Sequence, residues 1–168
     1  MGKVIMGIIA AGLILCAAGH SHAEQVKLTF DDRQWEIGYE VEDTQQGMVE
    51  FVVKGENVNA WTELVTLQAF FGLQETATPE SYMNGMGEGL RKACPDARTN
   101  LIRKGANDIV FDWEIKSCPG QEAQYEIDRV IAGTKALYVI HYATKKLPVA
   151  AETRDKWAGL LSAATLID

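Results

Sequence analysis

Histidine is scarce in this 168-residue chain, with residues only at positions 20, 22 and 141. A catalytic triad or a multi-histidine metal centre placed beyond the first 23 residues would therefore have His141 as its only imidazole. Serine is thin as well: beyond Ser21 there are Ser81, Ser117 and Ser162, and none sits in a G-x-S-x-G nucleophile elbow. Positive charge is short, with 16 Lys and Arg against 23 Asp and Glu. That balance argues against nucleic acid, whose affinity comes mainly from cations on phosphates, and against docking on an anionic membrane surface. Only four prolines occur, and there are no repeats, low-complexity runs or long linkers. After the N-terminal segment no apolar run is long enough to span a bilayer.

What is present begins with that segment. Lys3 supplies a positive n-region, Val4–Ala18 an apolar run of about 15 residues, and Ser21-His22-Ala23 a small-residue cleavage signal before Glu24. The run is short for a transmembrane anchor. A lipoprotein signal centred on Cys16 would need a small residue where Leu15 stands. Residues 1–23 read as a cleavable signal peptide, with cleavage after Ala23, and 24–168 as one domain that is periplasmic or secreted. About 145 residues are enough to bury an apolar core. Lys3 is the only charge in the leader, so the processed chain carries one negative charge more than the formal −7 of the whole.

Cys94 and Cys118 remain after processing, and an even count in an exported protein points to a disulfide between them. The competing reading is a zinc site completed by His141. Two thiols and one histidine leave the usual set incomplete, so no metal is expected there.

Hydrophobic period organises the rest. Strands are expected at Val26–Phe30, at Trp35–Glu42 with Trp35, Ile37, Tyr39 and Val41 facing inward, and at Met48–Lys54. A longer strand follows at Trp61–Gly72, with Trp61, Val65, Leu67, Ala69 and Phe71 on its apolar face. Thr78-Pro79-Glu80 starts a helix that Cys94-Pro95 ends, with Tyr82, Met86, Leu90 and Ala93 as its stripe. Gly85, Gly87 and Gly89 either weaken this helix or let it pack closely. Asn100–Lys104 and Ile109–Lys116 read as strands. Gln121–Ala143 reads as a hairpin turning at Gly133-Thr134-Lys135, whose returning strand is apolar on both faces and so covered on both sides. Ala150–Ile167 is the expected closing helix, with Trp157, Leu160, Leu161 and Ala164 turned to the sheet. The class is α+β: an antiparallel sheet with two main helices packed on it.

The candidate chemistry is concentrated in the hairpin. Glu126 and Asp128, two residues apart, share a sheet face, and such pairs divide acid and base roles when their environments separate their pKa values. His141 on the returning strand is the candidate base, although a mid-strand histidine is more often a satisfied core residue. Arg129 falls on the apolar-looking face with Tyr125 and Ile127, where it needs an acidic partner or a carboxylate ligand. Asp112 with Glu114, and Glu36 with Glu40, show that spaced carboxylates are common in this chain. Gly85-x-Gly87-x-Gly89 lacks the spacing of a phosphate loop. Trp35, Trp61, Trp113 and Trp157 fall on core stripes, where one of them could line an apolar ligand pocket.

The order of elements, with Trp61–Phe71 before the first helix, Tyr138–Ala143 before the last, and Arg154-Asp155-Lys156-Trp157 within it, resembles the PsbP-like domains, including small exported bacterial proteins similar to DcrB. The resemblance implies a sheet sandwiched between helices, no shared catalytic residues, and an accessory or binding role; no cofactor is expected. The function expected first is thus an exported, non-enzymatic accessory or binding protein for an unknown protein partner or small apolar ligand. The alternatives are a periplasmic hydrolase or other acid–base enzyme using His141 with Glu126 or Asp128, and a secreted factor acting on another cell.

Overall fold

The computed structural model describes residues 11–13 and 24–167. The expected leader lies outside these residues, apart from a short strand β1 (Ala11–Leu13) paired antiparallel with β2 (Gln25–Thr29). The chain continues through β3 (Trp35–Glu42), β4 (Gln46–Val53), β5 (Glu63–Phe71), α1 (Pro79–Ala93), β6 (Arg98–Lys104), β7 (Asp108–Ile115), β8 (Gln124–Ala132), β9 (Ala136–Thr144), α2 (Ala151–Ala163) and β10 (Thr165–Ile167). Seven strands form one antiparallel sheet in the order β3-β4-β5-β9-β8-β7-β6. Its centre is β9, the apolar returning strand of the hairpin, with all residues buried except His141.

The two helices take opposite faces of this sheet. On one side α2 brings Trp157 and Leu161 against Val65, Leu67, Ile127, Tyr138, Ile140 and Tyr142. Trp157 stacks on Tyr142 with ring centroids 4.2 Å apart. Strand β2 closes this layer with Val26 and Leu28. On the other side α1 packs Tyr82, Met83, Met86 and Leu90 against Ile109, Phe111, Trp113, Val130 and Val139. The start of α1 is the one expected from sequence: Thr78 and Ser81 exchange side-chain and backbone hydrogen bonds, with Pro79 at the first helical position. Cys94 and Cys118 are disulfide-linked across 24 positions, tying the end of α1 to the loop after β7.

Four local expectations are corrected. The closing helix stops at Ala163, and Thr165–Ile167 leave it to pair with β2 as β10. Trp61 lies before β5, half-buried under the Lys145 ammonium, which sits 4.2 Å from its ring centroid. Ala93 is exposed at the end of α1. Finally, Ile37, Tyr39 and Val41 are exposed. Strand β3 is the outer strand of the sheet, and a bulge at Gly38 moves the register, so Ile37 opposes Phe51 whereas Tyr39 and Val41 oppose Glu50 and Met48. The alternation in the sequence is real, but only Trp35, whose ring meets Trp157 of α2 at 5.6 Å, is covered, and the rest of this edge strand lies open among the described residues. Among the three glycines of α1 only Gly87 is buried, close to Thr99 of β6; Gly85 and Gly89 face open space.

Candidate functional site

The register of the β8–β9 hairpin builds the main polar cluster. Asp128 lies directly opposite His141, and Glu126, two residues along β8, shares their face. The three side chains converge. His141 Nδ1 is 2.6 Å from Asp128 Oδ1 and 2.9 Å from Glu126 Oε1. The other Asp128 oxygen, Oδ2, accepts a 3.0 Å hydrogen bond from Trp113 Nε1 of β7. Asp128 is fully buried, while His141 and Glu126 keep 17% and 13% of their side-chain surface. The cluster therefore has a closed floor and a narrow opening to solvent.

Its electrostatics follow from that placement. Burial opposes charge on His141, but the Asp128 and Glu126 carboxylates prevail and push its pKa up to about 10. Burial and the neighbouring Asp128 charge push Glu126 up to about 8, against the opposing pull of His141. On α1, Tyr82 is raised to about 12 by burial and by the same two carboxylates, which places its phenol within their field. Farther along the row, past Thr66 of β5, Glu50 on β4 is raised by burial and partly relieved by His141. Chemically, the arrangement is a shared-proton or ion-holding cluster more than a nucleophile–base pair. Ser81 is engaged with Thr78 at the start of α1, the Ser117 amide is bonded to Asp96, and Ser162 lies on α2 under the other face. Both cysteines outside the leader region are in the disulfide.

Arg129 points to the other face and is taken up internally. Its Nε and Nη2 reach Asp108 Oδ2, each at 2.8 Å. Its Nη1 donates to the carbonyls of Leu161, Ser162 and Ala164, at 2.8, 3.0 and 2.6 Å, at the C-terminus of α2. Of the other spaced carboxylates, Asp112 is buried and holds Asn100, the Tyr125 hydroxyl and Arg154, while Glu114 lies near Lys116 and Glu36 accepts the Gly55 amide. Glu63 was not apparent as a site residue in sequence. It is buried and gathers the Tyr142 hydroxyl, Lys146 and Arg33, the last of which also holds Asp31. Sequence reasoning also missed Trp113 as the support of Asp128, because its position on an apolar stripe already explained it.

No family model and no curated protein matches the chain. Among solved structures it is similar to cyanobacterial PsbP (CyanoP) from Synechocystis sp. PCC 6803, with a TM-score of 0.55 at 12% identity, over 99% of this chain and 98% of that one. Two helices packed on a seven-stranded antiparallel sheet, aligned end to end with that structure, give this chain the PsbP-like α+β fold.

Proposed function

We propose that this chain is an exported, non-enzymatic accessory or binding protein that docks a protein partner along strand β3 and the open sheet face beside it. The observation that carries this reading is the exposure of Ile37, Tyr39 and Val41, at 59%, 44% and 36%, on an outer strand. Such a strand offers unpaired backbone groups together with apolar side chains, the combination that strand addition and edge docking use. Glu36 and Glu40 beside them keep the edge soluble until a partner covers it. The PsbP-like fold and the disulfide are consistent with an accessory module outside the cytoplasm. A photo-crosslinking residue at Val41, compared with one at exposed Glu88 on α1, tests the proposal in intact cells. A discrete adduct from position 41 that disappears on Tyr39→Asp supports it. No adduct, or equal adducts from both positions, overturns it.

The convergence of Glu126, Asp128 and His141 favours a second reading, an acid–base enzyme that activates water or substrate at the cluster. The two readings separate on His141→Ala. Under the first, a variant that folds keeps the physiological role; under the second, it loses it.

A further inference from the structure

We propose that Glu126, Asp128 and His141 form a binding site for one divalent first-row cation of the zinc class. The site goes beyond the docking role above and does not rest on it. The donor atoms are two carboxylate oxygens and one imidazole nitrogen, all within 4.8 Å of one another. That mixed oxygen and nitrogen set suits zinc, cobalt or manganese, whereas calcium calls for six to eight oxygens.

Three features distinguish this cluster from an ordinary polar patch. The first is aim. Both carboxylates are directed at the same ring nitrogen, His141 Nδ1, so the lone pair of a neutral ring would point between them. With metal–ligand distances of about 2.1 Å, tetrahedral donors stand roughly 3.4 Å apart. The observed 2.6 and 2.9 Å separations would need to open by less than about an ångström, a change within the reach of side-chain torsions.

The second feature is support. Trp113 Nε1 holds Asp128 Oδ2 at 3.0 Å, which leaves Oδ1 turned to the cluster. Orienting a ligand through its other polar atom is the usual work of the outer shell of a metal site. The third is charge. Among the described residues, neither carboxylate pairs with a lysine or arginine; His141 is the only cationic partner of both. Two carboxylates facing one imidazole balance only with protons on the ring and on one carboxylate, and a divalent ion on a neutral ring with both carboxylates ionised would take the place of those two protons. His141 and Glu126 keep 17% and 13% of their side-chain surface, the side from which an ion and a water as fourth ligand would enter.

The test is a Co2+ titration of chelator-treated protein, read by visible absorbance, followed by Zn2+ competition and calorimetry. One equivalent is expected, with ligand-field bands that Zn2+ abolishes. Asp128→Asn, Glu126→Gln and His141→Ala should each weaken binding at least tenfold, and Trp113→Phe about tenfold. Glu114→Gln, on the opposite face, should leave it unchanged. Circular dichroism and melting establish that each variant folds. The near-isosteric Glu126→Gln and Asp128→Asn keep the test decisive should His141→Ala unfold. Absence of one-equivalent binding in the wild type overturns the proposal, as does binding that survives unchanged in the two amide variants.

Discussion

Replacing Arg129 by methionine tests whether the contact between α2 and the sheet rests on this one side chain. Methionine retains the length and the apolar stem but removes every donor. The loss covers two nitrogens on Asp108 and one on three α2 carbonyls, in a side chain only 11% exposed. Hydrogen bonds to a charged group contribute about 1.5–3 kcal/mol each, and breaking a buried pair costs about 3–5 kcal/mol because the partner is stranded. Here Asp108 is not wholly stranded, since Arg103 also binds it. The carbonyls end a helix, where a cation is favoured and where water reaches some of them. The net cost should therefore be about 3–4 kcal/mol, a large share of a stability of roughly 5–15 kcal/mol. In urea, with a slope of about 2 kcal/mol/M for a domain of this size, the midpoint should fall by roughly 1.5–2 M. Arg129→Lys should recover under half of the loss, because one ammonium cannot serve Asp108 and the helix end together. A midpoint shift below about 0.5 M for Arg129→Met would refute the clamp.

Three further outcomes follow from the structure. Reducing the Cys94–Cys118 bond, or Cys94→Ser, releases a loop of 24 positions and should cost about 3 kcal/mol, near 10 °C in melting temperature; an unchanged melt in reductant refutes the staple. Stability should fall with acid through the Arg33 cluster. Burial raises Glu63 and Asp31, but their hydrogen bonds, to Lys146, Tyr142 and Arg33 for Glu63 and to Arg33 and Trp35 for Asp31, hold both below their ordinary values. A depressed carboxylate contributes stability above its unfolded pKa and loses it as pH drops through the folded one, so the loss begins below about pH 4.5. Arg33→Met should flatten that limb in pH-dependent urea melts, and an unaltered slope would count against the assignment. In α1, Gly85→Ala and Gly89→Ala should each raise stability by about 0.5–1 kcal/mol, since nothing stands near the added methyl. Gly87→Ala should gain nothing, because its methyl would meet Thr99 Oγ1 at 3.2 Å and Arg91 at 3.3 Å. Equal gains at all three positions would show that α1 does not approach β6 as closely as these distances state.

The fold was legible wherever a local signal and its environment agree. Helix α1 has its expected bounds because Thr78, Ser81 and Pro79 fix its start and Pro95 prevents its continuation. Strand β9 is central because both of its faces are apolar, and in a sandwich only an inner strand buries both. The failures are non-local. Strand β3 has the same alternation as β7, yet β7 lies under α1 while β3 meets α2 at Trp35 and leaves Ile37, Tyr39 and Val41 uncovered, because strand order rather than strand sequence decides which edge a helix reaches. Thr165–Ile167 continues a helical pattern until β2 offers it a backbone to pair with, and β2 lies about 140 positions away in sequence.

The candidate site divides along the same line. That Glu126 and Asp128 share a face follows from the two-residue period of a strand, and that Arg129 takes the opposite face follows equally. Whether His141 joins the first pair or the second depends on the hairpin register. Ala132 opposes Leu137 across the turn, and counting outward from that pair brings Asp128 opposite His141. A slip of one residue in that turn would have turned His141, together with Leu137 and Val139, to the α2 face and sent Tyr138 and Tyr142 to the other, with no carboxylate from this pair to meet the imidazole. Glu24 secures the turn: its carboxylate accepts the Thr134 amide at 2.7 Å and the Lys135 amide at 3.3 Å, from more than a hundred positions away. Glu24, which touches none of the cluster's members, thus braces a turn that the Gly133 amide closes on the Ala136 carbonyl at 3.0 Å, and the register of that turn brings the three side chains together.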